Sequence, residues 1–343
     1  MRELLDVLGI RVPVLLAPMA GGIVGPELVA AVSRAGGLGM FGVMGMTADE
    51  VRADVRQAFE LGATAVAVNI QIAPPEHGAG DPEEVAALLA PLEAEAGVGE
   101  PGPRKQADPP LELIAAGLEA GATVVSAALG DPAACAPLAR EAGVPLVAMV
   151  STVDEARVAQ ASGADVIVAQ GMEAGGHRTT FDVSTALPLV GTMALVPRVV
   201  DAVDVPVVAA GGIMDARGVR AALALGAQGA MLGTRFLTAE ESLVPDVYRR
   251  ALTAAHETDT VITDAVTGRP ARWIRNRLIE TLAAGPDHLG WGYQRGAVEP
   301  LRQAAFAGDH EDLAPMLAGQ GAGLASEVLP AEEIVAHLVE GLR

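Results

Sequence analysis

Short runs of branched aliphatic residues recur along the chain, each preceded by a helical pattern and followed by a polar or glycine-rich turn. They are VLLAPM (14–19), GLGMFGV (37–43), AVAVNIQI (65–72), ATVVSAAL (122–129), PLVAMVS (145–151), ADVIVAQ (164–170), PVVAAGG (206–212) and GAMLGTRF (229–236). The runs are continuously apolar rather than alternating, which reads as strands buried on both faces. Helical patterns fill the intervals, among them TADEVRADVRQAFELG (47–62), with Thr47 as cap and Glu50 three residues on, and STVDEARVAQASG (151–163). Gly36, Gly62, Gly121, Gly143, Gly163 and Gly226 stand where a left-handed C-terminal cap is wanted. Strand alternating with helix eight times predicts an α/β fold, a parallel (β/α)8 TIM barrel, with a doubly wound open sheet as the second arrangement.

Two segments break the rhythm. GVGEPGPRKQADPP (97–110) has the Pro and Gly content of an exposed linker. Residues 238–309 read mostly helical and include TGRPARWIRNRL (267–278), an arginine-rich stretch in an acidic chain. Arg269, Arg272, Arg275 and Arg277 are expected to form salt bridges to the acidic barrel or to a partner subunit. The expected division is a barrel from 1–237 and 310–343, with 238–309 inserted as a helical lobe on the substrate side. DLAPMLAGQGAGL (312–324) and AEEIVAHLVEGL (331–342) are expected to return as helices that close the barrel.

Composition narrows the ligand. Apolar residues make up 51% of the 343 positions and aromatics only 3%, a branched-aliphatic palette that suits a barrel interior. A formal charge of −20 argues against an electrostatic grip on nucleic acid or an anionic membrane. A small-molecule ligand is expected. Cys135 is the sole cysteine, so an intrachain disulfide and a multi-cysteine metal site are excluded, and no metal is expected. The N-terminal MRELLDVLGI carries charge at positions 2, 3 and 6 and no run long enough for a signal or a span, which predicts a cytoplasmic protein.

The unusual residues fall at the carboxyl ends of the predicted strands, where barrels place their sites. APMAGG follows the first, Asn69 and Gln71 lie on the third, and QGMEAGGH follows the sixth. AAGGIMDARG (209–218) and LGTRF (232–236) end strands seven and eight, where glycines admit phosphate oxygens to backbone N–H groups. This pair points to a phosphorylated ligand. Cys135 lies inside the helical DPAACAPLAREAG (131–143) and is expected to be buried and inert. That speaks against a barrel mechanism that needs a nucleophilic cysteine. Glu173 is expected to bond its own loop, and His77, His256, His288, His310 and His337 to be surface or interdomain residues.

The segments PVLLAPMAGG, VNIQ, AQGMEAGGHR, AAGGIMDARG, MLGTRFL, TGRPARWIRNR and LAGQGAGL, in this order over nearly the whole chain, resemble the nitronate monooxygenases, formerly 2-nitropropane dioxygenases. These are FMN enzymes related to flavin-dependent enoyl-acyl-carrier-protein reductases. The resemblance implies that Asn69, Gln170, Gly175, Gly176, Gly211, Gly212, Met231, Leu232, Gly233 and Thr234 hold FMN, with the backbone of Pro18, Met19 and Ala20 against its ring. It also implies that His177 is catalytic, either accepting a proton from an acidic carbon or, when charged, holding an anionic nitro group. The substrate would be an alkyl nitronate or nitroalkane together with O2, giving a carbonyl compound and nitrite. A homodimer is among the assemblies open to it. Two other readings stay open: an NAD(P)H-using flavin reductase of enoyl thioesters or quinones, and a barrel that binds a phosphorylated ligand without redox work.

Overall fold

The computed structural model describes residues 3–99, 106–184 and 186–342. Eight parallel strands form the central sheet: β1 (Val14–Leu16), β2 (Gly39–Gly42), β3 (Val66–Gln71), β4 (Val124–Ala128), β5 (Leu146–Val150), β6 (Val166–Gln170), β8 (Val207–Ala210) and β9 (Gly229–Leu232), with β7 (Gly176–His177) outside it. Their order is β1-β9-β8-β6-β5-β4-β3-β2. A parallel bridge between Leu15 and Leu38 brings β1 back beside β2, with Leu16 N–H donating to Leu38 O at 2.9 Å and Leu38 N–H to Val14 O at 3.0 Å. The sheet therefore closes into a (β/α)8 barrel. The open-sheet alternative is excluded.

The local signals behave as their chemistry requires. Thr47 and Glu50 form a reciprocal capping box at the start of the helix Ala48–Glu60, and each of the six expected cap glycines has a positive φ. Helices pack outside the strands over a continuous aliphatic layer that includes Leu28, Val51, Ile114 and Val199. A second set, including Leu15, Met40, Val147, Val168 and Val208, fills the barrel interior. The N-terminal helix Leu4–Leu8 adds Leu4 and Leu8 to that interior set.

Residues 238–309 depart from the helical expectation. They contain helices Asp246–Ala254, Arg277–Ala283 and Tyr293–Ala307, but also β10 (Thr260–Thr263) and β11 (Ala271–Ile274), an antiparallel pair. The ARWI of the arginine-rich stretch is thus a strand, buried throughout. These elements enclose a separate apolar cluster, with Leu252, Leu278, Leu301 and Leu313 among its buried members. Residues 312–324 likewise form two short 3-10 turns, Glu311–Leu313 and Ala322–Leu324, instead of a helix. Pro315 and the glycines at 319, 321 and 323 deny that stretch helix donors and rigidity. Helix Ala331–Leu338 does return, packing on the helix Pro26–Arg34. Of the segment read as a linker, residues 100–105 lie outside the described residues, and Pro110 starts the helix Pro110–Glu119. No helix is long and apolar enough to cross a membrane among the described residues.

Candidate active site

A cavity of about 530 Å3 opens at the carboxyl ends of the barrel strands, and every residue named above for cofactor or catalysis lines it. The second apolar cluster supplies its other wall through Tyr248, Trp273, Val298 and Leu317, with Arg295 beside them.

His177 sits on a strand and not on a free loop. After β6 the chain turns out of the barrel and Gly176–His177 pairs antiparallel with β11, His177 opposite Ala271 and Gly176 opposite Arg272. Gly176 adopts φ +79°, a conformation that only glycine takes without strain. The Gln170 amide ties both sides of the excursion, donating from Nε2 to His177 O at 3.0 Å and accepting at Oε1 from Thr179 N–H at 3.1 Å.

Three buried guanidiniums hold other carbonyls of this segment. Arg178 donates from Nη1 to Gly171 O at 2.7 Å and from Nη2 to Gln170 O at 2.9 Å. Arg272 donates from Nε and Nη2 to Met172 O at 3.1 and 2.7 Å, and Arg269 reaches Thr180 O. Of the four arginines, Arg277 forms an expected salt bridge among the described residues, to Glu95; Arg269 and Arg272 bond backbone carbonyls of the loop after β6. Arg178 has the same task and was not singled out from sequence. Its burial, with Arg272 nearby, lowers its pKa to about 10 against the opposing pull of Glu155 and Glu173. The Glu173 carboxylate bonds not its own loop but the start of the following helix, accepting from Thr192 N–H at 2.9 and 3.0 Å.

The His177 ring lies edge-on to Trp291 and Trp273, at centroid distances of 5.0 and 6.3 Å. Its Nε2 is 3.0 Å from Thr267 Oγ1. One side opens to the cavity, yet protein encloses the rest of the ring. Burial, then the positive charges of Arg295 and Arg269, push its pKa down to about 3. That shift favours the neutral ring near neutral pH. The positive charge at the cavity comes instead from Arg295, whose Nη1 donates to Met44 Sδ at 3.0 Å, while its neighbour Glu299 pairs with Arg302 at 2.7 Å. Arg295 lies on a helix far along the chain, with no motif to mark it.

The wall also carries backbone turns and unpaired polar atoms. Gly211 and Gly212 after β8 take φ of +110° and +73°, turning backbone outward at the strand end. Gly233 precedes a helical turn, Thr234–Leu237, where the sequence suggests that the strand continues. Gln71 Oε1 and Thr179 Oγ1 are buried in the lining without a hydrogen-bond partner, a cost that a polar ligand edge would offset. Asn69 adds an amide that donates to Ser126 Oγ at 2.9 Å. Leu129, at the end of β4, keeps φ +64° while lining the same space, a strained conformation of the kind that gathers at functional sites. Gly175 has a different reason: an added Cβ would stand 2.6 Å from the backbone of Ala318, so its smallness serves packing.

Cys135 and the other histidines lie outside the cavity lining. Cys135 is fully buried and its thiol is pushed up to about 11 by burial, which makes it inert. His77 stacks on Tyr293 and His288 pairs with Asp264 at 3.4 Å, both outside the cavity lining.

The family model described as nitronate monooxygenase matches residues 2–341. The chain is 39% identical to a nitronate monooxygenase of Pseudomonas aeruginosa, over 98% of this chain and 97% of that one, and 37% identical to a probable nitronate monooxygenase of Staphylococcus saprophyticus, over 87% and 85%. In three dimensions it is similar to a nitroalkane oxidase from Streptomyces ansochromogenes, with TM-score 0.86, 36% identity and coverage of 99% and 97%. It is also similar to FabK from Thermotoga maritima, with TM-score 0.77, 30% identity and coverage of 99% and 96%. A match that runs through barrel, excursion and second wall alike, over a histidine held at a barrel mouth, places this chain in the nitronate monooxygenase family.

Proposed function

We propose that the protein binds FMN in the barrel mouth and oxidises alkyl nitronates with O2 to carbonyl compounds and nitrite. The observation that carries this reading is a histidine and an arginine facing one cavity whose wall keeps unpaired polar oxygens. The outward-turned backbone at Gly211 and Gly212 and the turn at Gly233 suit a phosphate, and the amides of Asn69 and Gln71 suit the polar edge of a flavin ring. The chemistry that FMN supplies when bound is the passage of electrons from an organic substrate to O2. Arg295 holds the anionic nitronate by charge. His177 takes the carbon proton when a neutral nitroalkane is the starting form, and Trp273 and Trp291 keep bulk water from its ring.

Heat release of the cofactor followed by chromatography should yield FMN, and nitrite should form as O2 is consumed with a preformed nitronate. His177→Asn should retain flavin and lose about 10²- to 10⁴-fold in turnover of neutral nitroalkanes, with a smaller loss for preformed nitronates. Rapid anaerobic consumption of NADPH with an enoyl thioester, and no nitrite from nitronates, would make the protein a reductase instead.

A further inference from the structure

The hydroxyl of Thr267 has one proton and two partners. It stands 3.2 Å from Arg269 O, to which it donates, and 3.0 Å from His177 Nε2. A threonine hydroxyl donates once and accepts through its lone pairs, so both contacts are satisfied together only if Nε2 carries a hydrogen and Thr267 accepts it. The opposite arrangement, Thr267 donating to Nε2, strands two groups. Arg269 O has no other hydrogen-bond donor among the described residues, and a hydrogen on Nδ1 would find no protein acceptor there. Thr267 is itself buried, in the connection between β10 and β11, and that connection is pinned to the loop after β6 by Arg269 and by the bond from Arg178 N–H to Pro270 O at 2.8 Å.

We propose that Thr267 is a positioning residue that fixes His177 in the Nε2–H form and leaves Nδ1 as the nitrogen that takes the proton from a nitroalkane carbon. The proposal rests on the reading of His177 as a base. In the step, the substrate C–H bond breaks and its proton bonds to Nδ1. The electron pair stays on the substrate, delocalised into the nitro group as the nitronate. The imidazolium then donates from Nε2 to Thr267 as before, so the ring need not turn.

Nitrogen NMR of the flavin-loaded protein with labelled histidine, His177 being assigned by its loss in His177→Asn, reads the tautomer without reference to turnover. The expected result is a protonated-type shift for Nε2 and an unprotonated-type shift for Nδ1, and the reverse pattern overturns the assignment. Thr267→Val should keep its flavin, mix the two tautomers, and lower kcat/KM for a neutral nitroalkane by at least about tenfold while nitronate turnover falls much less; Thr267→Ser should restore both readouts. Wild-type nitroalkane turnover in Thr267→Val overturns the positioning role. Wild-type turnover in His177→Asn overturns the base reading and the catalytic half of the proposal with it, while the shifts still decide which nitrogen carries hydrogen.

Discussion

The environment of His177 favours a neutral ring at the cost of acid stability. Its folded pKa, about 3, lies below the value of about 6.5 for an unfolded histidine. As pH falls below 6.5 the unfolded chain takes up a proton that the folded protein refuses, so this group disfavours folding increasingly down to about pH 3; above 6.5 the penalty is absent. Unfolding midpoints in denaturant at pH 7.5 and 5 should therefore differ less for His177→Asn than for the wild type. An equal acid-side loss in both would show that the ring is not held neutral. The same shift keeps the acid limb of nitroalkane turnover well below the range of an ordinary histidine. AQGMEAGGHR marks His177 as a candidate along the chain, but not its electrostatic setting, because Trp273, Trp291, Arg269 and Arg295 come to it from positions about a hundred residues away.

At the scale of elements, the excursion after β6 behaves as part of a small three-stranded sheet, β10-β11-β7. Its geometry depends on Arg272, buried and bonded twice to Met172 O. Arg272→Met removes charge and donors together, so no ion is left stranded, but the Met172 carbonyl loses its buried partner. The expected cost is about 1–3 kcal/mol in chemical unfolding, with nitroalkane turnover reduced as β7 loosens against β11. Unchanged stability would mean that water replaces the guanidinium. Sequence periodicity found the barrel strands because each is a continuous apolar run, and it missed β10 and β11 because TVIT and ARWI are interrupted by threonine or arginine and lie beside charged residues. Their strand character comes from pairing with each other and with β7, which is tertiary context rather than local preference. The arginines were visible but misassigned for the same reason: a guanidinium seeking carbonyls and one seeking carboxylates look alike along a chain.

For the whole molecule, the barrel interior and the cluster around Leu252 and Leu278 are distinct apolar cores, and the cavity between strand ends and Tyr248, Trp273 and Arg295 takes its lining from both sides. We propose that 238–309 is the unit that covers the barrel mouth. A ligand filling that cavity then contacts both cores and is lost only when they part. It should stabilise the chain as one cooperative body, by about 2.7 kcal/mol at a free concentration a hundredfold above Kd. Flavin-stripped protein titrated with FMN should show a rising midpoint in a single thermal transition. Riboflavin, which lacks the phosphate for Gly212 and Gly233, should raise it far less at the same concentration. An equal shift for the two flavins would remove the phosphate from the argument, and two separate transitions, with only one moved by FMN, would show that the cavity belongs to one core alone.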